Sequence, residues 1–159
     1  MYTYKYPRPS VTVDCILVSP NNSILLIQRG GEPFNDKWAI PGGFIEMDES
    51  LEAACHRELE EETGIRVNKL TQFKAYGAVD RDPRGRTISV VFYSFTDVEI
   101  EAKAGDDAAN AQWFLLDKLP LLAFDHYQII EEFKKEVLTV FRPLPLYEVM
   151  DPGKGSYSI

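Results

Sequence analysis

The hydrophobic pattern divides the chain into short strands and two helices. Residues 11–18 are almost wholly apolar and rich in β-branched side chains, bounded by Pro9 and the turn Pro20-Asn21-Asn22; they read as a strand. Residues 24–28 form a second strand, close enough across that turn to make a hairpin. Gly30-Gly31-Glu32-Pro33 interrupts the pattern, and a short apolar piece, residues 38–40, precedes Pro41-Gly42-Gly43. From about Asp48 to Thr63 the spacing predicts a helix, with Asp48 or Ser50 as N-cap and Gly64 as its stop. Strand-like stretches follow at 70–76 and 87–96, then a polar loop at 104–110 and a short strand at 112–115. Residues 125–140 read as an amphipathic helix through Ile129, Ile130, Phe133 and Val137, with Asp125 as N-cap. Strands, helix, strands, helix in this order predict an α/β or α+β domain, a mixed β-sheet sandwiched between α-helices.

Composition narrows the class. The 159 residues are 45% hydrophobic and 26% charged, as in an ordinary globular domain. A formal charge of −8 argues against nucleic acid or an anionic membrane as a partner, because both select basic surface. No apolar run reaches the roughly 18 residues of a membrane span, and the first residues lack the apolar core of a signal peptide, so the expected location is cytoplasmic. Cys15 and Cys55 sit in periodic apolar segments and read as reduced core thiols. The expected organisation is one domain, 1–140, with a C-terminal tail, 141–159, that holds Pro143, Pro145 and Pro152. Tyr2, Tyr4 and Tyr6 alternate before two prolines; they could form an edge strand meeting a partner subunit in a homodimer, contact an adenine ring, or belong to a loose terminus.

The helix at 48–63 carries the first chemical signal. At about 100° per residue, Leu51, Ala54, Cys55 and Leu59 define an apolar stripe, and Glu58 and Glu62 project into its middle. Glu61 lies on the stripe's edge, whereas Glu52 and Glu60 point to its flank and to solvent. Two carboxylates one turn apart and facing the protein body repel each other and lose hydration unless a positive group sits between them. A hard divalent cation meets that need; neutral or hydrogen-bonded burial is the alternative. Gly42-Gly43 lets the backbone approach a ligand, or offer a carbonyl to a metal, with no side chain in the way.

The same residues spell a known signature. Gly43, five residues, Glu49, seven residues, Arg57-Glu58-Leu59, one residue, Glu61-Glu62, one residue and Gly64-Ile65 resemble the Nudix box at every defined position. The resemblance implies the Nudix fold and metal-dependent hydrolysis of a nucleoside diphosphate linked to another moiety, with Mg²⁺ or Mn²⁺ as cofactor. By position it implies that Glu58, Glu61 and Glu62 bind the metal together with the carbonyl of Gly42 or Gly43, that Glu58, Glu61 and Arg57 belong to the catalytic machinery, and that Arg57 and Glu49 orient the glutamates. Residues 38–44, 81–87, 105–108 and 122–126 are similar to the ADP-ribose pyrophosphatase branch of the family, which also includes sensor domains fused to a winged helix.

Outside the box the candidates are fewer. The family's catalytic base often comes from a distant loop, which points to Asp106 and Asp107, with Asp107 preferred; capping a turn is their other reading. Arg81, Arg84 and Arg86 crowd six residues of an acidic chain and could clamp phosphate, Arg86 foremost, then Arg84; Arg29 is a similar case. His126 reads as a packing residue, His56 as solvent-facing, and Trp38 and Phe44 as core. The substrate expected from this set is a small nucleotide, ADP-ribose, split to AMP and ribose 5-phosphate. Nucleoside triphosphates or another nucleotide sugar are the near alternatives, and a non-catalytic ADP-ribose sensor is the distant one; nineteen residues after 140 are too few for a winged helix.

Overall fold

The computed structural model describes residues 3–104 and 108–141. Among these, seven strands form one mixed sheet: β1 (Ser10–Val18), β2 (Ser23–Arg29), β3 (Trp38–Ala39), β4 (Gly42–Phe44), β5 (Thr71–Tyr76), β6 (Thr87–Phe95) and β7 (Ala108–Leu115). Helix α1 (Leu51–Thr63) and helix α2 (His126–Phe133) cover its two faces, as the expected sandwich requires.

β1 is central and buried on both sides, which is why its sequence runs apolar instead of alternating. Val13, Cys15 and Leu17 pack beneath Ala54, Cys55 and Leu59 of α1. Ile16 and Val18 pack against Ile129, Ile130 and Phe133 of α2. Both cysteines are free and buried. β6 runs parallel to β1 from Ser10↔Thr87 to Val18↔Phe95, and β5 closes that side.

The expected hairpin of β1 and β2 is reduced to one antiparallel pair, Val18↔Ile24. The two strands then part, because residues 38–44 wedge between them. β3 pairs with the end of β2 (Ile27↔Ala39), and β4 pairs with the start of β1 (Val13↔Gly43, Asp14↔Gly42). The Pro-Gly-Gly segment is therefore partly a strand and not only a turn.

Three more expectations change. β7 begins at Ala108 and pairs with β2 along its length, so long-range pairing overrides the weak β-propensity of the Ala-Ala-Asn-Ala stretch. The second helix is α-helical only to Phe133; a π turn, Lys134–Leu138, and a short α3, Thr139–Phe141, continue it. Residues 3–9 form no strand, and Tyr4 carries the Arg8 guanidinium 3.9 Å from its ring centre. The tail from 142 onward, Tyr2 and the Asp106–Asp107 pair lie outside the described residues.

Candidate active site

Helix α1 is held at both ends. Ser50 Oγ accepts from the Ala53 amide at 3.1 Å, which makes Ser50 the N-cap. Gly64 takes φ 69°, a left-handed conformation that glycine tolerates, and its N–H donates to the Glu60 carbonyl at 2.7 Å. Between these ends lie the glutamates. Glu62 is largely enclosed and its Oε2 accepts from the Gly42 amide at 2.8 Å. Burial pushes its carboxyl up to about 8, reinforced by the charges of Glu58 and Asp14. Burial also raises Glu58, against the pull of Arg57. Glu61 is the most exposed of the three, with 60% of its side chain open.

Arg57 ties the cluster to the loop before the helix. Its Nε and Nη2 grip Glu49 at 3.0 and 2.6 Å, and Nη2 also reaches the Phe44 carbonyl at 3.1 Å. Its Nη1 donates to Glu58 at 2.8 Å and to Glu61 at 3.1 Å. The bonds to Arg57 hold the Glu49 carboxyl below the usual carboxylate range. Among the described residues no three acidic side chains close on a single point, since Arg57 is seated between Glu58 and Glu61.

The donor set nevertheless fits a hard cation: three carboxylates and a glycine backbone, all oxygen donors. A Cβ at Gly43 would lie 2.5–2.6 Å from the Glu58 carboxylate, and one at Gly42 would meet the Val13 carbonyl oxygen at 2.1 Å. No side chain has room at either position while Glu58 and β1 stay in place.

A cleft of about 710 Å³ opens over the glutamates, lined by Arg29, Gly43, Phe44, Arg57, Glu58, Glu61 and Glu62 among others. It joins a narrower recess through shared residues Arg29, Gly42, Gly43, Phe44 and Glu62; the recess adds Asp14, Arg81, Asp82, Arg84, Phe124 and His126. That size suits a small organic ligand.

One wall is cationic and aromatic. The Arg84 guanidinium lies 4.9 Å from the Phe44 ring centre and 5.3 Å from that of Phe124, and Arg29 lies 5.0 Å from Phe124. Arg84 is steered there by Asp82, which accepts from its backbone N–H at 2.9 Å and its Nη2 at 2.7 Å. Phe124 (φ 52°) and Phe34 (φ 66°) both hold left-handed backbone conformations and meet edge to face at 4.8 Å. Such conformations in bulky residues persist only where the surroundings over-determine them.

Arg86 is not on this wall. It is exposed, and its Nη1 donates to the Gly77 and Ala78 carbonyls at 2.7 and 3.2 Å, which pins the turn between β5 and β6. Arg81 lines the recess with its head group engaged, gripping Asp125 at 2.6 and 2.8 Å. Asp125 therefore makes no side-chain cap for α2; its carboxylate is committed to Arg81. Phe44, expected as core, is 44% exposed and lines the cleft.

Two buried polar groups floor the recess. His126 Nδ1 accepts from the Ile40 amide at 2.9 Å, and its Nε2 faces Asp14 Oδ1 at 3.7 Å. Asp14 also accepts from the Ser89 hydroxyl. Its signal in the sequence was a single acid inside an otherwise apolar strand; it went unread because the strand pattern absorbed it.

This arrangement of sheet, glutamate helix and glycine crossover has known counterparts. The model of the NUDIX domain matches residues 8–134. The ADP-ribose pyrophosphatase of Methanocaldococcus jannaschii is 45% identical over 130 residues, 82% of this chain and 76% of that protein. The ADPR responsive transcriptional repressor NtrR of Acinetobacter baylyi is 37% identical over 134 residues, 80% of this chain but only 54% of the repressor. In structure, the NUDIX domain of Shewanella oneidensis NrtR complexed with ADP ribose superposes with a TM-score of 0.77 at 31% identity, over 84% of this chain and 92% of that one. The chain belongs to the Nudix family of hydrolases.

Proposed function

We propose that the chain hydrolyses the diphosphate linkage of a nucleoside diphosphate derivative, with ADP-ribose as the preferred substrate and AMP and ribose 5-phosphate as products. One observation carries the reading: the half-buried Glu62, bonded to the Gly42 amide, lines the same recess as the Arg29–Arg84–Phe44–Phe124 wall. Carboxylates at one end suit cation-bound phosphates; stacked guanidinium and aromatic planes at the other suit a base or ribose phosphate. The names of the Methanocaldococcus relative and of the Shewanella complex support the same ligand.

In this reading Glu58, Glu61, Glu62 and the Gly43 carbonyl hold Mg²⁺ or Mn²⁺. A cation held there would neutralise phosphate charge and make a water easier to deprotonate. Arg57 and Glu49 keep the carboxylates aimed, and Arg29 and Arg84 seat the substrate. Hydrolysis adds water's oxygen to one phosphorus and breaks that phosphorus's bond to the bridging oxygen. Asp107 is the proposed base; the strand that follows it contributes Ala109 to the cleft. Free buried cysteines fit a cytoplasmic setting, and no helix among the described residues is long and apolar enough to cross a membrane.

The likeness to the Acinetobacter repressor favours a second reading, a sensor that binds ADP-ribose and returns it intact. One experiment separates the two. Purified protein with Mg²⁺ is incubated with a panel of nucleoside diphosphate derivatives, and AMP release is followed by chromatography. Many turnovers, abolished by EDTA, are expected; stoichiometric binding without product would establish the sensor.

A further inference from the structure

The crossover from β3 to β4 brings the glycines to the glutamates, and it is fastened residue by residue. The Pro41 carbonyl accepts from the Cys15 amide at 2.8 Å, the Gly42 amide donates to Glu62 at 2.8 Å, and Gly43 pairs with Val13 in the sheet. These fastenings come from β1 and α1. The first residue, Ile40, is held from the opposite layer: its amide donates 2.9 Å to His126 Nδ1, at the start of α2.

The ring is set for that role. His126 and Ile40 are both buried. Nδ1 can accept only if unprotonated, so the neutral ring carries its proton on Nε2, the nitrogen that faces Asp14. At 3.7 Å that contact is too long for a hydrogen bond, but the carboxylate's charge favours the N–H on its side. Next in the chain, Asp125 is clamped by Arg81, so the start of α2 is itself anchored.

We propose that His126 is a positioning residue: by holding the Ile40 amide it sets where the Gly42–Gly43 backbone meets Glu58 and Glu62, and so sets the affinity of the carboxylate cluster for a divalent cation. This rests on the proposed reading of that cluster as a cation site. His126 binds neither cation nor nucleotide in this account; it acts through residues 40–43. Groups bonded directly to a cation's ligands typically alter its affinity by about 10–100-fold when lost, and His126, one link further back, is expected at the low end of that range.

The test measures Mn²⁺ affinity without nucleotide, from the electron paramagnetic resonance signal of the free ion. His126→Leu fills the space but leaves the Ile40 amide unpaired, and should weaken Mn²⁺ binding by about tenfold. In His126→Asn the amide oxygen stands where Nδ1 stood and can accept from Ile40, so affinity should return to within about threefold of wild type. In His126→Gln the amide lies one bond further out, toward Asp14, and should not restore it.

A folded His126→Leu protein with wild-type affinity would overturn the proposal, as would rescue by Gln equal to rescue by Asn. If the Leu variant does not fold, the Asn–Gln contrast decides alone. The wild-type imidazole ¹⁵N spectrum adds a further check: a bare Nδ1 and a protonated Nε2 are expected, and the reverse tautomer refutes the assignment. Wild type that binds Mn²⁺ but cleaves no nucleotide would refute the enzyme reading and leave this one standing. Wild type that binds no Mn²⁺ would refute the cluster and this proposal together.

Discussion

Glu62 shows how much one side chain's setting determines. Its position in the apolar stripe could be read from helical spacing alone, and the structure encloses it against the Gly42 amide. Keeping it ionised there is unfavourable, so Glu62→Gln should raise the melting temperature of the cation-free protein. For a chain of this size about 1 kcal/mol corresponds to roughly 2–4 °C. Mg²⁺ should raise the melting temperature of wild type through linkage and leave the variant nearly unmoved. Differential scanning fluorimetry with and without Mg²⁺ checks both, and an undiminished Mg²⁺ shift in the variant would contradict Glu62 as a ligand. The arginines make the opposite point. Counting charges across 81–86 could not tell which one enters the cleft, because that depends on local hydrogen bonds: Asp82 turns Arg84 inward, and two carbonyls hold Arg86 outside. Arg84→Ala should raise KM for ADP-ribose about tenfold with a smaller loss in kcat, as for a group that seats substrate away from the reacting phosphorus. Arg86→Ala should change KM less, so a steady-state comparison in which Arg86 mattered more would reverse this assignment.

At the level of elements, the Gly64 end of α1 was readable and the other end was narrowed to Asp48 or Ser50, of which Ser50 is the cap, because these residues act through their own local chemistry. The start of α2 was not. Asp125 is a natural cap by type, but a guanidinium from the β5–β6 connection competes for it and wins. β4 and the first half of β7 were missed for a related reason: glycine and alanine carry little strand preference, and these segments are strands only because β1 and β2 pair with them. The start of α2 also responds to pH. His126 is buried, which depresses its affinity for a proton; Asp14 from β1 and Asp125 beside it oppose that effect, and Arg81 and Arg29 add to it. In the unfolded chain the group takes up a proton below about 6.5. The folded state then binds fewer protons than the unfolded one, so stability is full above that pH and declines as pH falls through it. His126→Asn should flatten that decline. Urea unfolding of both proteins at about pH 7.5 and 5.5 measures it, and equal slopes would mean that His126 contributes nothing to acid sensitivity.

For the whole molecule, the proposed function assigns selectivity to the cleft's two ends. On that reading the glutamate end would serve any diphosphate, whereas the Arg84–Phe124 wall offers stacking planes suited to a second group. A triphosphate would need cationic side chains gathered at a single tail. The expected kcat/KM for ADP-ribose therefore exceeds that for dATP or dGTP by at least about tenfold, roughly 1.4 kcal/mol in the transition state. Competition assays decide this, and parity would remove ADP-ribose as the preferred substrate without touching the reaction class.

The parallel pairing of β1 with β6 has a consequence for how the chain acquires its shape. Residues 10–18 find their longest partner at 87–95, so the glycine crossover, the glutamate helix and the arginine turn all lie within the loop that this pairing closes. The other partners are shorter: β2 offers β1 a single residue pair and β4 three, against nine from β6. Pairing β1 with β6 closes that long loop, and non-local pairing of this kind favours slow folding. A nascent chain stopped short of residue 87 would lack β1's long partner, and its β1 amides should exchange with solvent faster than in the full chain. On the proposed reading of the carboxylate cluster as a cation site, an emerging chain should reach full affinity for divalent ions only after β6 has docked.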